Sequence, residues 1–166
     1  ELESQKSIIE EKNKDITDSI LYAQKIQEAM LHSHTDVSGV FPDSLIIYKP
    51  KDIVAGDFYW WVNGGDRFYL AVADCTGHGV PGAMISVACA NILNKSVKEL
   101  SLSKPSHILD KTTELVVDAF SINGIEQTYI TDGMDIALCA IEKLDSGNVA
   151  IEFSGANNPL WIYRKN

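Results

Sequence analysis

Leu2, Ile9, Ile16, Ala23 and Met30 recur every seven residues, while the companion series Lys6, Asn13, Ile20 and Gln27 is mostly polar. Residues 1–31 contain no proline or glycine and are rich in Glu, Lys, Gln, Ile and Ala. That pattern predicts one long helix with a single apolar seam, suited to self-association or to passing on a signal. The plainer alternative is an amphipathic helix lying on its own domain. Residues 32–43 carry Ser, His, Thr, Asp and Gly and read as a linker.

From Ser44 the period shortens. Residues 45–48, 57–62 and 67–73 are β-rich runs, and Asn63-Gly64-Gly65-Asp66 joins the last two as a hairpin turn. Helical spacing returns over 80–100, is broken at 101–105, and resumes over 106–120 with Ser106 as the expected cap. The final third predicts strands at 136–141, 149–153 and 159–163, separated by turns at Asp145-Ser146-Gly147-Asn148 and Gly155-Ala156-Asn157. Strands, then helices, then strands again predict an α+β domain in which helices pack on an antiparallel sheet.

Composition narrows the function. The chain has 166 residues, 45% of them hydrophobic, which is enough for one substantial core. A net charge of −9 without any basic block argues against nucleic acid as a partner. Cys75, Cys89 and Cys139 lie in or beside apolar runs without zinc-site spacing, which favours reduced thiols in a cytoplasmic setting. No apolar run approaches the roughly 18 residues of a membrane span. The charged helical start at Glu1 and the strand pattern reaching the other end read as a piece of a larger protein, such as the cytosolic part of a sensor.

The chemistry concentrates in two places. An apolar run, 68–73, delivers Asp74 into Cys75-Thr76-Gly77-His78-Gly79-Val80-Pro81-Gly82, a glycine-rich turn ahead of a helix. Asp57 lies in Gly56-Asp57-Phe58-Tyr59-Trp60 on the partner strand of the hairpin. Two strand-borne carboxylates converging on such a turn suit Mg²⁺ or Mn²⁺, hard cations that favour carboxylate, carbonyl and water oxygens. A simple turn or helix cap is the alternative.

Four blocks sharpen this: Lys49 through Trp60, Val72 through Ala83, Asp132-Gly133-Met134-Asp135-Ile136-Ala137-Leu138, and Ser154-Gly155-Ala156-Asn157-Asn158-Pro159-Leu160. In this order they resemble the SpoIIE-like (RsbU-like) bacterial serine phosphatases of the metal-dependent PPM, or type 2C, protein phosphatase family. The resemblance implies a partial PPM-type domain over 44–166 that hydrolyses phosphoserine or phosphothreonine on a protein, with a pair of Mn²⁺ or Mg²⁺ ions and a metal-bound water as nucleophile. It implies that Asp74 bridges the ions, that Asp57 is a further metal acid, and that Cys75 contributes its main-chain carbonyl. His78 is a candidate proton donor to the leaving serine, with a turn-holding hydrogen bond as the alternative. Lys49 and Lys51 are candidate contacts for the substrate phosphate. Asp132 and Asp135 read as turn or strand-start residues rather than ligands.

The later aspartate blocks of the family have no counterpart after Trp161. Two divalent ions about 4 Å apart repel by roughly 17 kcal/mol at an effective dielectric of about 20, which surrounding acids must offset. Two acids therefore predict at most one tightly held ion and weak or no turnover. The implied substrate is a phosphorylated regulatory protein, such as a STAS-type anti-sigma-factor antagonist. The competing expectation is a non-catalytic module that binds a partner and dimerises through the N-terminal helix or an exposed sheet edge.

Overall fold

Four antiparallel strands in chain order form the sheet: β1 (Phe58–Asn63), β2 (Arg67–Cys75), β3 (Met134–Lys143) and β4 (Val149–Ala156). The computed structural model describes residues 2–31, 37–120 and 132–164; the first part of the expected linker, 32–36, and Thr131 lie outside them. Both hairpins turn where glycine permits a positive φ. Gly65 (φ 92°) closes β1 to β2, its amide donating to Asn63 Oδ1 at 3.0 Å, and Gly147 (φ 78°) closes β3 to β4, its amide donating to the Leu144 carbonyl at 2.9 Å.

Alternation along the strands gives the sheet two unlike faces. One carries Trp60, Ala71, Ala73, Ile136 and Leu138 into a core with helices α3 (Gly79–Asn94) and α4 (Pro105–Phe120). Leu93, Ile108 and Leu138 there are fully buried, so truncating any of them to Ala costs about 2–5 kcal/mol. Polar atoms in this core are paired: Trp60 Nε1 donates to Asn94 Oδ1 at 3.2 Å, and the Ser96 and Thr112 hydroxyls lie 3.4 Å apart.

The expected helix over 80–100 is α3 followed by one π turn, Lys95–Glu99, and Ser101 at φ 55° ends it. The second helix begins at Pro105, whose fixed φ suits a first helical position. Ser106 therefore sits inside the first turn and is not the cap.

The opposite face is half covered. A short helix, α2 (Val37–Val40), places Val37 and Phe41 against Trp61 and Phe68, with the Phe41 and Phe68 rings edge to face at 5.1 Å. The second half of the expected linker is thus packed, because its apolar residues meet an apolar sheet face. Beyond this patch Val72 and Ile151 are each 56% exposed.

Two expected strands are absent among the described residues. Residues 45–48 and 159–163 belong to no ladder, and Leu45, Ile47, Trp161 and Tyr163 are 83%, 85%, 74% and 88% exposed. Strand propensity marks a chain that fits a pleated surface, but a strand needs a neighbour's amides and carbonyls. Neither run meets such a neighbour. The expected turn at 155–157 also shifts, since β4 continues through Ala156 and the left-handed residue is Asn157 (φ 62°).

The N-terminal helix, α1 (Leu2–Leu31), is continuous as expected. Only its final turns are buried on the body, through Gln27 and Leu31, and Leu2, Ile9 and Ile16 remain exposed. No described helix is long and apolar enough to cross a membrane. The architecture is α+β.

Candidate metal centre

The hairpin brings Asp57 and Asp74 together because its register pairs Phe58 with Ala73, which places the two aspartates side by side at the same sheet end. Partial desolvation, then the close approach and charge of the Asp74 carboxyl, hold the Asp57 carboxyl above the usual carboxylate range. Two neighbouring carboxyls of this kind are a donor set for a divalent ion, which binds them in their ionised form.

A third oxygen is close by. A Cβ on Gly56 would stand 3.2 Å from the Cys75 carbonyl oxygen and 2.7 Å from that of Gly77. Glycine at 56, next to Asp57, therefore lets these carbonyls pack closer than a side chain there would allow. Gly82 presses on the same turn, since its Cβ would fall 2.6 Å from the Gly77 oxygen. Gly77 itself has φ 85°, as such a turn requires.

The Cys75 sulfur has a different role. Cys75 and Cys89 are buried in the core, and the hydrogen bond between them, then burial, push the Cys75 thiol up, so it stays protonated. Its main-chain oxygen, which packs against Gly56, is the donor atom it can offer.

Among the described residues no group of three or more His, Cys, Asp or Glu side chains is gathered closely enough to hold a metal. Two carboxylates and a carbonyl nevertheless fit one hydrated Mg²⁺ or Mn²⁺, which keeps several waters and needs only one or two carboxylates. Such an ion, when bound, acidifies coordinated water and polarises phosphoryl oxygens.

The other expected residues surround this pair unevenly. His78 caps α3 by position without a side-chain capping bond, and its Nδ1 lies 3.0 Å from Asp52 Oδ2. Lys49 and Lys51 are exposed, and Lys51 lines a cavity of about 600 Å³ together with Ile20, Asp52, Ile53, Val54, Gly79 and Val80. Asp135 is the second residue of β3, directly opposite Asp74 in register, and accepts a 2.8 Å hydrogen bond from Asn157 Nδ2. Asp132 precedes the strand and lines a small cavity of about 190 Å³ beneath α4. The Gly133 amide donates to Thr76 Oγ1 at 3.1 Å, tying this segment to the Asp74 turn.

Three supporting residues carried little signal in the sequence. Tyr48 Oη donates to the Asp57 carbonyl at 3.0 Å. Asp52 was visible only as one letter in the block ahead of Asp57. Gln27 appeared as a polar flaw in a helical seam, yet it is 6% exposed and bonded to the backbone of Ala55, two residues before Asp57.

No protein-family model matches the chain, and neither does any curated protein. Among solved structures, the chain is similar to the SiaA-PP2C domain of Pseudomonas aeruginosa, with 28% identity and a TM-score of 0.62 over 78% of this chain. The match spans 49% of that structure, about half its length. The chain therefore has a PP2C-like fold.

Proposed function

We propose that this chain forms part of a metal-dependent protein serine/threonine phosphatase of the SpoIIE-like (RsbU-like) PPM group, acting in cytoplasmic bacterial signalling. The observation that carries the reading is the Asp57–Asp74 pair, two carboxylates brought side by side at the hairpin end, next to the Cys75 carbonyl that packs on Gly56. The PP2C-like fold supports it.

In this reading Asp74 and Asp57 hold a Mn²⁺ or Mg²⁺ ion with the Cys75 carbonyl, Lys49 or Lys51 meets the phosphate, and His78 serves the leaving serine. The full family site uses two ions; this chain, with two acids, holds at most one tightly. The substrate class is a phosphorylated regulatory protein such as a STAS-type antagonist. The N-terminal helix α1 joins copies into a homodimer and relays a signal through Gln27, whose buried bonds reach the loop ahead of Asp57.

Titration calorimetry with Mn²⁺, followed by release of phosphate from a phosphoserine peptide, tests the reading. One site lost in Asp74→Asn, with slow Mn²⁺-dependent turnover lost in the same variant, is expected. Two tight sites or rapid turnover would overturn the one-ion limit, and no Mn²⁺ binding would overturn the metal reading. A second reading, a partner-binding module without catalysis, is favoured by the open sheet face and the exposed α1 seam. Mn²⁺ binding with no phosphate release in a chain that captures its phosphoprotein would select it.

A further inference from the structure

Two segments build the candidate centre, residues 51–57 and 74–82, and they meet at three successive levels. At the first, Asp57 and Asp74 lie side by side at the hairpin end. At the second, Gly56 packs on the Gly77 carbonyl, leaving no room for a Cβ. At the third, His78 Nδ1 and Asp52 Oδ2 stand 3.0 Å apart.

These levels act in different directions. Two like-charged carboxylates placed to hold one ion repel each other, so the first drives the loops apart. The second is passive packing. Only the third can join groups of opposite polarity, whether the imidazole is neutral with Nδ1–H donating or is protonated. His78 is turned toward Asp52 by glycines on both sides, Gly77 at φ 85° and Gly79 at φ 63°, and a Cβ on Gly79 would come 3.8 Å from Asp52 Oδ2.

We propose that Asp52 and His78 form a clasp that positions the Asp57 and Asp74 carboxylates for a divalent cation, fixing the loop separation at which both reach one ion. The proposal rests on the metal reading of Asp57 and Asp74. Asp52 and His78 are positioning residues that act through the loops, and neither is a ligand. A purely stabilising role is a poor account of the pair, because the His78 side chain is 73% and that of Asp52 39% exposed, and an ion pair that open adds little to global stability.

Charge alone and the clasp predict opposite results at His78. Deleting a basic group near a cation site leaves Mn²⁺ affinity unchanged or raises it, whereas breaking a clasp lowers it. Calorimetric titration of the 166-residue chain with Mn²⁺ decides between them. Asp52→Ala and His78→Ala are each expected to weaken Mn²⁺ binding by about tenfold, the lower end of what residues supporting metal ligands carry. The double variant is expected to be no weaker than the worse single one, since one interaction is lost either way. His78→Asn, which keeps an N–H donor near Nδ1, is expected to restore affinity to within about twofold. The metal-free unfolding temperature is expected to stay unchanged in all of them.

Unaltered or tighter Mn²⁺ binding by His78→Ala, or effects that multiply in the double variant, would overturn the clasp alone. Absence of Mn²⁺ binding by the unaltered chain would overturn the metal reading and the clasp with it.

Discussion

Gln27 and Ala55 bind each other in both directions: Gln27 Nε2 donates to the Ala55 carbonyl at 2.6 Å, and the Ala55 amide donates back to Gln27 Oε1 at 3.2 Å. Ser86 Oγ completes the set, accepting from Gln27 Nε2 at 2.9 Å and donating to the same carbonyl at 3.2 Å. Replacing Gln27 with Leu leaves the Ala55 amide buried without its acceptor. A loss of about 1–3 kcal/mol is expected, which lowers the unfolding temperature by about 2–12 °C in a calorimetric scan.

The Asp57–Asp74 pair makes stability depend on pH. The folded Asp57 pKa lies above its ordinary value of 3.8, so the folded state binds a proton more tightly than the unfolded chain does. Its stabilising contribution is present below the unfolded pKa and is lost as pH rises through the raised folded pKa. Asp57→Asn is therefore expected to raise the metal-free unfolding temperature at pH 7 by up to about 3 °C, with the gain vanishing near pH 3. Urea melts of both proteins across this range check the sign.

Mn²⁺ should reverse that penalty. An ion that binds only the folded chain, at about a hundred times its dissociation constant, adds roughly 2.7 kcal/mol, or about 5–10 °C. The rise is expected in the unaltered protein and absent in Asp74→Asn and Asp57→Asn. Differential scanning fluorimetry with and without Mn²⁺ measures it.

Gly56→Ala tests the backbone packing beneath the site. Its new Cβ would meet the Gly77 oxygen at 2.7 Å, and backbone cannot yield as a side-chain tip does. Overpacking of this kind costs about 1–3 kcal/mol, and Mn²⁺ affinity should fall with it. Gly133→Ala, where a Cβ meets nothing within 4 Å, is expected to change neither.

The proposed homodimer through the α1 seam has a direct test. Ile9→Glu with Ile16→Glu places charges on the exposed apolar series and should convert a homodimer to a species of 18.3 kDa in sedimentation equilibrium. Equal masses for the two proteins would remove the dimer.

How much of this was legible in sequence depends on the range of the interaction. The hairpin that unites Asp57 and Asp74 is local: alternating apolar residues and the Asn63-Gly64-Gly65-Asp66 turn set its register. The helices likewise follow from spacing within themselves. Residues 45–48 and 159–163 have the composition of strands, but pairing is a property of two segments, and among the described residues these two join no ladder. Asp135 opposite Asp74 is a register fact set 61 residues away in the chain, which no motif announces. Gln27 and Asp52 were hidden for a related reason. A buried polar residue and a solvated one have the same letter, and only the fold tells which backbone lies beside it.

The 30-residue helix α1 is a lever of unequal arms. At 1.5 Å per residue, roughly 38 Å separate Leu2 from Gln27, and only about 6 Å separate Gln27 from the buried end at Leu31. If that end is the fulcrum, a 6 Å swing at the tip moves Gln27 by about 1 Å. That is enough to carry its 3.2 Å contact past hydrogen-bonding range. Smaller tip motions shrink to a few tenths of an ångström and leave the contact intact. A helix pivoting in this way would act as a mechanical reducer, passing concerted displacement and filtering jitter at its far end.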